Sequence, residues 1–225
     1  NPDFVKQLDA FATQILKLLD LNADIAIYRV VRQENTHHFY YGYTHAIHTA
    51  VLCALLSHHM GWPAPRLLSL VKAALTMNLT ISDLQGQMAA QDEPIKDRQR
   101  ADILAHPEKA VALLTHMGVA DADWLTAIAQ HHEMTDGSGF PTRVKGESMT
   151  VGARILALVN RYDNLCNPSR SAAAMTPHES LSLIFAQLKT RFDTTALSAF
   201  IRMMGVYPPG SVVQLVDERY GMVVS

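Results

Sequence analysis

The chain has 225 residues, 48% of them apolar and 18% charged, enough for a core that buries roughly 70% of the unfolded surface with no help from disulfides or a structural metal. Nineteen basic against 21 acidic side chains leave a formal charge of −2, which excludes a strongly basic face for a nucleic-acid polymer, and no apolar run approaches the ~20 residues of a membrane span. Two cysteines, Cys53 and Cys166, with no CxxC pair or disulfide framework, fit a soluble domain in a reducing, cytoplasmic compartment.

Taken in chain order, apolar residues recur at steps of three and four, as in Phe4, Leu8, Phe11, Ile15 and Leu18, which puts one stripe on one helical face. The pattern predicts helices over 3–20, 23–33, 40–60, 65–77, 98–116, 121–133, 150–166, 177–190 and 194–204. Thr176-Pro177-His178-Glu179 is a capping box with Pro at the first helical position, a specific start signal. After the Pro208-Pro209-Gly210 break, Val212, Val213, Leu215 and Val216, then Met222 to Val224, flank Asp217 to Gly221 and predict a terminal β-hairpin whose second strand runs out of chain. With no repeat and no Gly/Ser/Pro-rich linker, the reading is one domain: N-terminal helices over 1–36, a core over 37–205 and a hairpin, truncated at the chain end, over 206–225. The opening at Asn1, without Met or signal peptide, reads as a cut from a longer protein with a regulatory region before it. Residues 79–97 and 134–149 are expected to be irregular connections, and loops that long in a helical domain often carry function.

Eleven histidines are the unusual feature. His37 and His38 lie in a polar stretch, His58 and His59 near a helix end and His178 in a first helical turn; these read as surface or capping groups. His45, His106 and the pair His131-His132 remain. On a helix, adjacent side chains point about 100° apart, so a His-His pair serves two ions, or one ion and a phosphate, more readily than it chelates one.

The stretch that follows the pair is specific. His131-His132-Glu133-Met134-Thr135-Asp136-Gly137-Ser138-Gly139-Phe140-Pro141 closely resembles the HHExxDGxGYP signature of the HD-GYP family, bacterial metal-dependent phosphodiesterases of cyclic di-GMP within the HD phosphohydrolases, with Phe140 in place of Tyr. The resemblance extends to His45 on the first ligand helix, to His106-Pro107-Glu108, to the helix ending Tyr162-Asp163-Asn164-Leu165, and to Val206-Tyr207-Pro208-Pro209-Gly210. It implies an all-α HD-type domain of about eight or nine helices with a short C-terminal β-hairpin, in which His45, His106, His131, His132 and Asp163 converge on one pocket.

The departures are as informative. Where the family reads AALLHDIGK, this chain has Ala73-Ala74-Leu75-Thr76-Met77-Asn78-Leu79-Thr80-Ile81. The metal-bridging Asp is replaced by Asn78, a weak neutral ligand, and its His by Met77, a soft thioether poorly matched to Fe, Mn or Zn. The phosphate-facing Lys is replaced by Ile81, and a carboxylate that some relatives carry before the first His falls at Tyr41. By the family pattern, one metal keeps His45 and Asp163 but loses two ligands, and the second keeps His106 and His131 but loses the bridge. His132 is left for a third site. The surviving set implies a single divalent ion (Fe, Mn or Zn) or none. Of the basic run that grips phosphates in relatives, only Arg170 remains for substrate binding, one place out of register.

The loop Asp136, Gly137, Ser138, Gly139, Phe140 and Pro141 is nearly intact, and in relatives such a loop has been linked to docking diguanylate cyclase (GGDEF) domains. It is expected to project into solvent with Phe140 near its tip, the alternative being that Phe140 folds inward. The resemblance therefore leaves three readings: a degenerate output domain acting as a regulatory or protein-interaction module in cyclic di-GMP signalling, a residual single-ion phosphodiesterase of cyclic di-GMP, or a sensor that holds a nucleotide without cutting it.

Overall fold

A computed structural model describes residues 2–32, 38–167, 169 and 173–225. The described chain is helical: α1 (Pro2–Leu21), α2 (Ala23–Val31), α3 (Tyr41–His59), α4 (Ala64–Thr76), α5 (Ser82–Ala90), α6 (Asp97–His116), α7 (Ala122–Gln130), α8 (Val151–Cys166), α9 (Pro177–Gln187) and α10 (Thr194–Met204). Short 3-10 turns sit at His38–Tyr40, Gly146–Ser148 and Lys189–Arg191. Side chains close the helix starts as their types predict: Asp121 accepts from the Trp124 amide at 3.1 Å, Asp193 from the Ala196 amide at 2.8 Å, and Thr176 and Glu179 bond reciprocally.

The organising element is α3, which lies against α4, α5, α8 and α10. Its buried residues form one broad face, with Ala50, Leu52, Cys53 and Leu56 in the core and His45, Thr49 and Ser57 also fully covered, while Tyr43 and Ile47 stand on its exposed side. Opposite it, α8 contributes Ile155, Leu156, Leu158 and Val159, and Tyr162 meets Phe200 of α10 edge to face with ring centroids 4.9 Å apart. From α7, the buried Trp124 donates its indole N–H to Thr76 Oγ1 at 2.9 Å. Lys72 of α4 reaches Asp9 at 2.9 Å and fixes α1 to the bundle.

Two expectations need correction. Residues 79–97 are not wholly irregular, because α5 occupies Ser82–Ala90 and brings the total to ten α-helices among the described residues. This helix has no apolar stripe to betray it; it is held by close backbone approach. A Cβ on Gly42 would press on the Ser82 backbone, and one on Gly86 would strike the Phe39 carbonyl. The hairpin forms as β1 (Val212–Gln214) and β2 (Tyr220–Met222), antiparallel with Val212 opposite Met222 and Gln214 opposite Tyr220. The second strand thus begins at Tyr220, two residues before its expected start. Among the described residues no helix is long and apolar enough to cross a membrane.

A histidine trio and an amide-lined cavity

Three of the expected ligands meet. His106, His131 and His132 each bring a ring nitrogen to a group whose atoms all lie within 4.8 Å of one another. The backbone explains the aim of each ring. Pro107 lies inside α6 and has no N–H to give to the carbonyl four residues back, Ile103. That freed oxygen takes the His106 Nδ1 instead, at 2.5 Å, so the His-Pro pair supplies both the vacancy and the group that fills it. At the end of α7, Ile128 O accepts from the His131 backbone N–H at 3.4 Å and also holds His131 Nδ1 at 2.6 Å.

A carbonyl oxygen only accepts, so Nδ1 of both rings carries the proton, and in a neutral imidazole Nε2 then presents a lone pair. The two Nε2 atoms face each other at 3.0 Å. Burial holds the His106 ring down at about 4, its bond to Ile103 working against this, and holds His131 at about 3 with the neighbouring His106 adding to the effect. His132 is well below its ordinary value too, first from burial and then from His131 and His106. Three neutral imidazoles with converging lone pairs, two of them oriented by backbone carbonyls, match what a divalent transition metal requires of its ligands and of the groups behind them.

The expectation that a His-His pair would serve separate ions rested on a helix running to 133. In the structure α7 stops at Gln130, and the turn beyond it lets His131 and His132 face the same point. Their ring centroids are 4.2 Å apart.

His45 and Asp163 do not join this ligand group. They form a second group beside it, in which His45 Nδ1 meets Asp163 Oδ2 at 2.6 Å and His45 Nε2 meets Asn160 Oδ1 at 2.8 Å. Both ring nitrogens are thereby engaged. Asn167 donates to Asp163 Oδ2, and His48 Nδ1 stands 3.5 Å from Oδ1. Burial alone would raise the Asp163 carboxyl, but the hydrogen bond from His45 and the approach of His48 outweigh it and hold it below the ordinary range. The five expected ligands therefore fall into two adjacent groups and not one set, with an imidazole and a carboxamide both on Oδ2 of Asp163.

Met77 is packed in the hydrophobic core with no exposed surface. Asn78, Ile81 and Tyr41 line a cavity of about 690 Å³ together with His106 and His132. Burial, with the charge of Asp163, pushes the Tyr41 phenol up, and its hydroxyl donates to Asn164 Oδ1 at 2.9 Å. Arg170 lies outside the described residues. Sequence reasoning missed His48, one turn beyond His45, and the carboxamides Asn160 and Asn164 on one face of α8 with Asn167 just past its end. It also missed Arg161, which lines the cavity.

The signature loop is bound inward. Glu133, fully buried, accepts at Oε1 from the Thr142 amide at 2.6 Å, the Thr142 hydroxyl at 2.8 Å and the Arg143 amide at 2.9 Å. Gly139 is buried where a Cβ would run into the backbone of His132, Glu133 and Met134. Phe140 stacks on the His132 ring, centroids 4.5 Å apart and planes 17° from parallel, so it backs a candidate ligand and does not stand at an exposed tip. Asp136 and Ser138 are the exposed members of the loop.

The family model described as HD domain matches residues 21–196. The chain is 26% identical over 190 residues to the protein named cyclic di-GMP phosphodiesterase PA4108 of Pseudomonas aeruginosa, covering 82% of this chain and 44% of that one. It is 19% identical over 184 residues to cyclic di-GMP phosphodiesterase PdeB of Borreliella burgdorferi, covering 82% and 48%. The chain thus spans about half the length of these relatives. Among solved structures, Bd1817, a HDG"Y"P protein from Bdellovibrio bacteriovorus, superposes with a TM-score of 0.71 at 18% identity over 90% of this chain and 65% of that one. With the fold, the HHE…DGSGFP loop and the histidine trio in place, the chain belongs to the HD domain family and, within it, to the HD-GYP type.

Proposed function

We propose that this domain is a degenerate HD-GYP output module in bacterial cyclic di-GMP signalling, which binds one divalent metal at His106, His131 and His132 and has lost the two-ion hydrolytic centre. One observation carries the reading: the two Nε2 lone pairs of His106 and His131 face each other at 3.0 Å, while by the resemblance Asn78 stands where the family has its bridging carboxylate and Oδ2 of Asp163 is already engaged by His45 and Asn167. A bridging ligand must be anionic to hold two cations close together, and a carboxamide is not. When bound, an Fe, Mn or Zn ion supplies Lewis acidity and a structural tie between α6 and the end of α7. This chain's own residues do the rest: Ile103 O and Ile128 O orient the rings, and Phe140 backs His132.

Asp136 and Ser138 are the part of the signature loop available to a partner such as a GGDEF-type diguanylate cyclase domain. A residual single-ion phosphodiesterase is the second reading, favoured by the intact trio. Incubating the metal-loaded domain with cyclic di-GMP and resolving the products separates the two: the nucleotide is recovered intact under the first reading, and steady conversion to the linear dinucleotide refutes it.

A further inference from the structure

A second cavity, of about 490 Å³, lies between the end of α2, the start of α9 and the root of the hairpin, and shares no lining residue with the cavity beside the trio. Its size is within the range of small-molecule sites. Close contacts join its walls. Gly210, at φ 93°, rests on the end of α2, where a Cβ would meet Arg32 Cγ at 3.0 Å and Tyr28 O at 3.1 Å, so the Arg32 stem lies against the residue next to Ser211. From the same turn, the Tyr207 ring stacks on His178 at the start of α9, centroids 5.7 Å apart and planes 28° from parallel. Val31, Met175, Pro177 and Val212 add apolar surface.

Two polar groups on this lining have nothing to bind. Ser211 is 8% exposed, and its hydroxyl makes no hydrogen bond among the described residues, although buried polar groups in native proteins are almost always paired. The half-buried Arg32 forms no ion pair among them either. Glu179, the acid on the lining, is committed to capping α9, its Oε2 accepting from the Thr176 amide and hydroxyl at 2.8 Å each. The cavity thus offers one positive charge and an unbonded hydroxyl in front of rings and aliphatic side chains. A monoanion matches a single guanidinium, whose planar fork pairs with both oxygens of a carboxylate. A phosphate dianion would leave negative charge uncompensated beside Glu179.

We infer that this cavity binds a small-molecule carboxylate with a flat apolar body, its head held by Arg32 and Ser211 and its body by Tyr207, Met175 and Val31. An occupant would tie the end of α2 to α9 and to the hairpin root, three segments that otherwise meet here mainly through Gly210 and the Tyr207–His178 stack. The site is separate from the histidine trio and does not depend on the signalling reading of the domain.

The test is an NMR titration of the isotope-labelled protein with benzoate, benzyl alcohol and inorganic phosphate, repeated on Arg32→Gln and Ser211→Ala. Benzoate is expected to shift the amide signals of Arg32, Ser211 and Val212 saturably and to leave those of His106 and His131 in place. Benzyl alcohol, which lacks the charge, is expected to bind about tenfold or more weakly, and Arg32→Gln to weaken benzoate by a similar factor, since each removes the charge-assisted pair. Ser211→Ala is expected to cost about threefold in affinity without a drop in melting temperature, because it removes a hydroxyl that has no partner. Arg32→Gln with parental affinity, benzyl alcohol binding as well as benzoate, or phosphate shifting the same signals as strongly as benzoate overturns the inference. So does benzoate that moves only signals around the trio, or none.

Discussion

His106 and His131 meet nitrogen to nitrogen, Nε2 to Nε2 at 3.0 Å, each with its Nδ1 anchored on a backbone carbonyl three residues earlier. Two buried acceptors aimed at each other have no mutual hydrogen bond to make, and a cation between them resolves the conflict.

Replacing His131 with Leu removes one of the opposed lone pairs and one ligand. The metal-free variant is expected to melt at the parent temperature or above it, since an unpaired buried acceptor costs about 1–3 kcal/mol. Zn²⁺ or Mn²⁺ is expected to raise the melting temperature of the parent and leave the variant unmoved. A metal-induced shift that survives in the variant would place the ion elsewhere.

The signature loop is expected to be a packing element first. Gly139→Ala sets a Cβ against the backbone of His132, Glu133 and Met134 and is expected to cost about 2–3 kcal/mol. Phe140→Ala loses the stack on His132 and is expected to cost about 1–2 kcal/mol and to weaken metal binding. Urea unfolding curves with and without metal measure both. A Phe140→Ala protein of parental stability that fails to bind a diguanylate cyclase domain in a pull-down would instead restore the docking role of that side chain.

How much of this was legible in the sequence is clearest at three places. The nine expected helices all form, because their apolar spacing and their caps, Asp121, Thr150, Thr176 and Asp193 among them, are local signals. Helix α5 was not legible, since what holds it is glycine-mediated contact with Phe39 and Gly42, distant in sequence. At the site, the motif picked out the trio, yet the convergence of His131 and His132 depends on where α7 ends, and boundaries are the least certain part of a periodicity argument. The engagement of His45 by Asn160 and the amide stripe on α8 needed the tertiary structure: carboxamides carry no motif of their own, and only the fold shows which of their oxygens lack partners.

Restoring the family residues is expected to rebuild part of the second metal position. Asn78→Asp puts an anionic oxygen on the cavity wall, and Met77→His adds an imidazole at a fully buried core position, at a stability cost of about 1–3 kcal/mol. The double variant is expected to bind metal more tightly than the parent, with Asn78→Asp supplying more of the gain because it returns charge as well as a ligand. If uptake is unchanged, these two positions do not face the metal site.

The cysteines give a pH-dependent handle on the fold. Burial pushes the Cys166 thiol up to about 11, partly offset by its hydrogen bond to Ser180 at 3.3 Å. Thiolate is the reacting form, so alkylation of Cys166 by iodoacetamide is expected to be slow at pH 8 and to rise about tenfold per pH unit up to pH 10. Cys53, with no exposed surface, is expected to react only on unfolding. Fast labelling of two thiols at pH 8 in the native protein would contradict the packing around α3 and α8.

The most direct test is elemental analysis of the domain purified without chelator, alongside His131→Leu. A single-ion site predicts one equivalent of Fe, Mn or Zn per chain, lost in the variant, with cyclic di-GMP left intact by the loaded protein. Two or more equivalents per chain, with steady hydrolysis, would contradict it and show that Asn78 and Asp163 still complete a binuclear centre.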